Sequence, residues 1–327
     1  MAVMLCAIIY TFKGLIKPVI RQLEQTSILA IILICISCVC YECLEGWVTC
    51  SFARKYKKDF KYRHGVESAF YACFYRVATL GSGSGLSLIY FLHEQGIEYS
   101  TGTGMYMIEY LLHKISITLF SIVFLIVNFA FIQKEFSGYM PLLISGYILT
   151  AAISLFLLLF CISKKIHRFF LIILEKINKK LNERLKKQVI EATKYAQIIE
   201  EATRDLLHDK RLILTSIAKN FVKLLFWYGI PYIIFYKTHL LTLGQAIAIT
   251  SLCIMLAAVI PSPAGIGAVE FVMIILFSKI AGRNLAVCTS ILYRFATFIL
   301  PFLLGAGYVI VRKMILHHKK AKKQTIE

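Results

Sequence analysis

Five stretches of the chain stay apolar over the about 20 residues an α-helix needs to cross a bilayer: Ser27–Cys50, Met105–Phe131, Met140–Ser163, Leu212–Tyr236 and Leu285–Val311. Two more, Val66–His93 and Gly244–Ile280, are interrupted halfway, the first by GSGSG (Gly81 to Gly85) and the second by PSPAGIG (Pro261 to Gly267). Glycine opens backbone angles closed to other residues and proline cannot continue a helix, so each interrupted stretch is expected to be two short helices meeting at a hinge. Hydrophobic residues make up 58% of the 327 and charged residues 17%, against about 45–50% and about 25% in soluble domains. That excludes a water-soluble enzyme, a disordered chain and a small secreted disulfide scaffold. The fold class expected is all-α: a polytopic integral membrane helical bundle.

The charge pattern orients it. Lys and Arg number 37 against 18 acidic residues, a formal net charge of +19. They gather in Arg54–Arg63, in the stretch from Lys164 to Arg211, and in a tail at residues 312–327, and the positive-inside rule puts all three in the cytoplasm. Met105–Phe131 and Met140–Ser163 already make one trip out and back, so Val66–His93 has to dip in and return on the cytoplasmic side. By the same parity Leu212–Tyr236 goes out, Leu285–Val311 comes back, and Gly244–Ile280 dips in from outside. Two re-entrant elements of opposite orientation follow, although Lys13, Lys17 and Arg21 then lie outside, against the rule. The run Met1–Phe12 is too short to span and lacks the positive start of a signal peptide. It reads as a clipped first helix or a misplaced start.

The pattern repeats internally. Gly83-Ser84-Gly85-Leu86 can be laid over Pro263-Ala264-Gly265-Ile266, and Ile108-Glu109-Tyr110 over Tyr293-Arg294-Phe295. A first membrane repeat (residues 1–163) and a second (212–311) would then flank a basic cytoplasmic segment (164–211), with the tail beyond. Inverted repeats with discontinuous helices characterise transporters, whose sites lie at the repeat interface near the bilayer midplane. The segment Lys164–Leu207 carries one apolar stripe (Ile166, Phe170, Ile173, Ile177, Leu181) among many lysines. Two readings stand: a helix lying on anionic headgroups, or a solvated connector under the bundle.

Ionisable side chains inside apolar spans are costly and therefore point to function. Glu109 and Arg294 occupy matched positions of the repeat, where they either pair with each other or meet the charges of a lipid headgroup. Glu270 ends PSPAGIGAVE and Arg76 precedes GSGSG; Glu42 is a further buried candidate, or snorkels to an interface. The hinge residues Gly81, Gly83, Gly85, Pro261, Pro263, Gly265 and Gly267 open helices whose free N–H groups suit a translocating phosphate, or they are simply tight breaks. In CISCVCYEC, Cys40 and Cys43 face away from Cys35 and Cys38 on a helix, so one metal would not gather all four. Nucleotide loops, H-E-x-x-H and G-x-S-x-G are absent from the sequence; no catalytic residue, metal or cofactor is expected, and no DNA partner.

The stretch from Ala257 to Ile310, with Pro261, Pro263, Gly265, Gly267, Glu270, Tyr293, Arg294, Pro301 and Gly305, resembles the lysylphosphatidylglycerol synthase transmembrane family, also described as flippase-like. Ala264 stands where that family's motif has a second glycine. Upstream, Thr79, Gly85 and Glu109 fit, while Leu80 replaces a proline and an arginine near Ile89–Tyr90 is lacking. The resemblance implies a multi-pass protein of the bacterial cytoplasmic membrane, with its C-terminus inside, that moves phosphatidylglycerol or its aminoacylated form between leaflets and so contributes to surface charge and cationic-peptide resistance. It implies phospholipid partners, with a separate cytosolic synthase or a homo-oligomer left open. In larger relatives a cytosolic domain transfers lysine from lysyl-tRNA to the lipid; this chain is expected to lack it. A phosphatidylglycerol lysyltransferase, or a membrane subunit serving another lipid enzyme, are the alternatives.

Overall fold

The computed structural model describes residues 16–79, 81, 83–162, 208–260, 262 and 265–324, and the isolated positions 172, 173, 176, 179, 190, 194 and 206. Among these, every regular element is a helix. In chain order they are α1 (Ile16–Gln25), α2 (Ile28–Tyr56), α3 (Tyr62–Ala78), α4 (Gly83–Glu94), α5 (Tyr99–Val127), α6 (Phe129–Phe136) and α7 (Met140–Ile162), then α8 (Lys210–Tyr228), α9 (Ile230–Phe235), α10 (Leu243–Ala257), α11 (Ala268–Arg294) and α12 (Leu300–Gln324). The start Met1–Phe12, most of the basic segment 164–211, and Pro261 and Pro263 lie outside the described residues.

Among the described residues, four helical stretches are long and apolar enough to cross a membrane: Ile28–Tyr56, Tyr99–Val127, Phe129–Ile153 and Ala268–Ile315. The last is divided at Gly282, whose φ of 74° no helix interior adopts. This break marks the boundary between the interrupted stretch and the final span. The expected span Leu212–Tyr236 is not one helix. It divides at Gly229, because Pro231 can begin α9 but cannot continue α8. Both interrupted stretches are helix–break–helix: α3 and α4 around residues 79–82, α10 and α11 around 258–267.

Local signals account for the ends. Ser27 Oγ accepts from the Ala30 N–H at the start of α2, and Arg54 and Lys55 lie in its last turn, where the helix dipole favours cations. At the start of α8, Asp209 accepts from the Leu212 N–H at 3.0 Å. That hydrogen bond, with Lys55 alongside, holds the Asp209 carboxyl below the usual aspartate range. At α10 the Thr242 side chain accepts from the Gln245 N–H while Gln245 accepts from the Thr242 N–H at 2.9 Å, a reciprocal cap. Thr242→Ala is expected to lower the stability of the detergent-solubilised protein by about 1 kcal/mol, with Thr242→Ser retaining it, read from denaturant unfolding.

Packing follows from where the apolar surface faces. α10 is buried nearly all round and, with residues of α9 and α11, forms the largest core cluster. A helix apolar on every side belongs inside a bundle. By contrast Ile28, Leu29, Ile126, Val127, Ile148, Leu155 and Phe271 point outward and exposed, as side chains facing lipid do. Three glycines let backbones meet. A Cβ on Gly46 would fall 2.5 Å from the Val66 nitrogen, one on Gly65 would strike the Gly46 carbonyl, and one on Gly305 the Phe70 carbonyl. The α2–α3 and α3–α12 contacts therefore depend on absent side chains, as is usual where helices associate in lipid.

Candidate functional site

A cavity of about 660 Å³ opens inside the bundle, lined from α2 (Glu42, Glu45, Thr49), α3 (Arg76), the first hinge (Gly81, Ser84), α5 (Glu109, His113) and the second half (Tyr293, Arg294, Thr297). Its depth is set by the helices that wall it. Glu42 is the central residue of α2 and His113 the central residue of α5, both of them spans. The cavity therefore lies at the mid-length of two helices long and apolar enough to cross a bilayer, where unsatisfied charge is expensive.

The second hinge is held by one arginine. Arg294, 6% exposed, donates from Nε to Glu270 Oε1 at 2.7 Å and from Nη2 to Glu270 Oε2 at 3.1 Å, and also to the Gly265 carbonyl. Glu270 Oε2 in turn accepts from the Gly267 N–H at 2.9 Å. Gly265 and Gly267 have φ of 69° and 85°, a region that suits glycine. The expected alternative in which Arg294 pairs with Glu109 is thus corrected: Arg294 is engaged by Glu270, on the helix that follows the same hinge. The geometric reason is that Glu270 and Gly265 flank one break, so a single planar guanidinium spans both.

Glu109 has a different partner. Thr49 Oγ1 donates to its Oε2 at 2.9 Å, and its Oε1 is buried without a partner. Glu42, 1% exposed, also has a bare buried Oε1. Arg76, in the last turn of α3, donates to the Thr297 carbonyl at 3.4 Å and lies 5.9 Å from the Trp227 ring centroid, with its Nε unpartnered. The Thr297 carbonyl is free for it because Pro301, four residues on, has no N–H to give, and the helix is widened to a π-turn over Phe295–Ile299. Arg76 thereby joins the first hinge to the second half.

At the first hinge Gly81 has φ 102° and donates to the Arg76 carbonyl at 2.6 Å, closing α3. The Gly83 N–H is taken by Thr79 Oγ1 at 2.6 Å. The Tyr106 ring lies so close to Gly85 that a Cβ there would come within 2.5 Å of it.

Four lining or adjoining residues were not read from the sequence: Glu45, His113, Lys223 and Thr49. Lys223 is fully buried, pairs with Glu45, and lies 3.3 Å from His113 Nδ1 and 5.2 Å from the Tyr41 ring centroid. The signal was spacing: Glu42 and Glu45 stand three apart, Glu109 and His113 four apart, so each pair shares a helix face. The described cavity thus collects Arg76, Glu109 and Arg294, with Glu270 bound behind Arg294.

No curated protein and no solved structure matches the chain. A family model described as the lysylphosphatidylglycerol synthase TM region matches residues 1–305 of the 327. An all-α, multi-pass membrane protein, the chain belongs to the lysylphosphatidylglycerol synthase transmembrane-region family.

Proposed function

We propose that the chain is a flippase-like transporter that passes a phosphate-bearing lipid headgroup, that of phosphatidylglycerol or its lysyl ester, between the leaflets of the bacterial cytoplasmic membrane. The observation that carries this reading is the cavity walled by incompletely satisfied charges of both signs, Arg76 together with Glu42 and Glu109. Leaving such groups without ion-pair partners inside a bundle is destabilising, and evolution retains it where a ligand completes them. A headgroup phosphate suits the Arg76 guanidinium, and an ammonium on an aminoacyl group suits the two carboxylates. The acyl tails stay in lipid, along the exposed apolar flanks of α2 and α5.

The two hinges supply the mobility that transfer needs. In this reading α3–α4 enters from the cytoplasmic face and α10 with the first part of α11 from the outer face, as an inverted pair. Arg76, through the Thr297 carbonyl, and Arg294, through the Gly265 carbonyl, tie the two hinges to one segment, residues 294–297.

The test is reconstitution. Proteoliposomes carrying fluorescent phosphatidylglycerol or lysyl-phosphatidylglycerol are exposed to an external quencher, and the rate at which inner-leaflet label becomes accessible is recorded. The wild-type chain is expected to raise that rate well above protein-free vesicles. Arg76→Gln is expected to lower it about tenfold or more, the worth of a hydrogen bond to a charged group. A wild-type rate equal to that of empty vesicles, or an Arg76→Gln rate equal to wild type, overturns the reading.

A further inference from the structure

We infer that lipid transfer by this chain is coupled to protons, and that the cavity carboxyls Glu42 and Glu109 are the proton-carrying groups. The inference rests on the transporter reading above and names what drives or accompanies the lipid.

The starting point is two cavity carboxyls that form no ion pair among the described residues. Glu109 is 7% exposed and Glu42 1%; each lines the cavity and each keeps one buried oxygen without a hydrogen-bond partner. Among the described residues, the nearby cations have their direct partners elsewhere. Lys223 pairs with Glu45, Arg294 pairs with Glu270, and Arg76 turns to the Thr297 carbonyl and the face of Trp227. Lys114 keeps its ammonium at a half-buried edge, 5.4 Å from the Tyr110 ring centroid.

A bare carboxylate in such a place costs several kcal/mol, so something positive has to accompany it. The candidates are a metal ion and a proton. Around Glu109 the protein offers Thr49 Oγ1 and the carboxylate itself, and no group of three His, Cys, Asp or Glu side chains gathers to hold a metal among the described residues. Too few oxygens converge to replace a hydration shell of six or more ligands. A proton needs one oxygen.

The charge balance of the cavity then fixes the stoichiometry. With Lys223 paired to Glu45 and Arg294 to Glu270, the remaining charges lining the cavity are Arg76 and Lys114 against Glu42 and Glu109, which balance while the cavity is empty. A phosphate monoanion entering beside Arg76 adds one negative charge, and one proton on Glu42 or Glu109 removes it. Loading therefore takes one proton from water onto a carboxylate oxygen, forming an O–H bond, and unloading returns it; no bond in the lipid changes. The other titratable groups lining the cavity are Tyr41, Glu45, Cys73, Arg76, Tyr106, Tyr110, His113, Lys114, Tyr228, Tyr293 and Arg294, of which His113 has the buried Lys223 ammonium 3.3 Å from its Nδ1.

The experiment reads protons directly. The full chain in detergent, in weak buffer at neutral pH, is mixed with short-chain phosphatidylglycerol while a pH-indicator dye and lipid binding are followed together. Uptake of about one proton per lipid bound is expected. Short-chain phosphatidylcholine, whose headgroup carries its own ammonium, is expected to give none. In Glu42→Gln/Glu109→Gln, uptake is expected to vanish when scored per lipid bound, so that weaker binding alone does not mimic the loss.

Lipid binding by the wild type without proton uptake overturns the inference, as does equal uptake by the double variant. The wild-type measurement stands even where the variant does not fold. Translocation in vesicles without proton uptake sinks proton coupling alone. Vesicles without translocation sink the transporter reading, and this inference with it.

Discussion

Arg294→Met is expected to destabilise the protein by about 3–5 kcal/mol, the usual result of removing one member of a buried ion pair. The Arg294 side chain is 7% exposed and that of Glu270 17%, so the arginine above all has little water to fall back on. Without the guanidinium, Glu270 keeps one hydrogen bond, from the Gly267 N–H, and the Gly265 carbonyl loses its donor. The second hinge then has no cross-link between the start of α11 and its end. Arg294→Lys is expected to recover only part of the loss, because one ammonium does not reach two carboxylate oxygens and a carbonyl in the planar arrangement of a guanidinium.

The companion variant makes the argument specific. Arg294→Met combined with Glu270→Leu removes both charges, and is expected to be clearly more stable than Arg294→Met alone. Thermal unfolding in detergent, followed for the single and paired variants, checks it. Strictly additive effects, or a single-variant loss under about 1 kcal/mol, would show that Arg294 and Glu270 do not act as a unit.

The second large effect concerns a place with no chemistry at all. Gly46→Leu is expected to force α2 and α3 apart, since even a Cβ there would lie 2.5 Å from the Val66 nitrogen and 2.7 Å from the Gly65 carbonyl carbon. Overpacking commonly costs about 1–3 kcal/mol; here the obstacle is backbone rather than a side chain that can rotate away, so the upper end or beyond is expected. Glu42, Glu45 and Thr49 ride on the same helix, and lipid transfer should fall together with stability. Gly307→Ala provides the control. Nothing lies within 4 Å of a Cβ at Gly307, and the change is expected to be neutral within about 0.5 kcal/mol. The yield of monodisperse protein and its unfolding temperature distinguish the two; equal behaviour of both variants would mean that α2 and α3 do not meet at glycine.

Much of the candidate site was legible because the membrane makes the sequence speak plainly. An ionisable residue in an apolar run stands out, and Arg76, Glu109, Glu270 and Arg294 were found that way. Lys223 was missed because Lys210, Arg211 and Lys219 precede it, and a helix start rich in lysine reads as an interface. Its burial depends on Glu45 and His113, which come from two other helices.

Partner choice was the other gap. The matched positions of the repeat suggested Glu109 for Arg294, but internal similarity aligns positions without saying which of them touch. Glu270 took the arginine because it lies across the same hinge, and Glu109 was left to Thr49.

The amino-acid order by itself determined the membrane class, the helical content, the two breaks and most of the charged residues near them. These follow from local terms: hydropathy over about 20 residues, glycine and proline at hinges, and the price of charge in hydrocarbon. Only the tertiary structure decided which charges cancel and which stay open, where the cavity lies, and that Gly46, Gly65 and Gly305 are contact points between backbones. Those outcomes depend on distances between helices far apart in sequence. A pair of charges 24 or 178 residues apart is set by how the bundle packs, which no local pattern encodes.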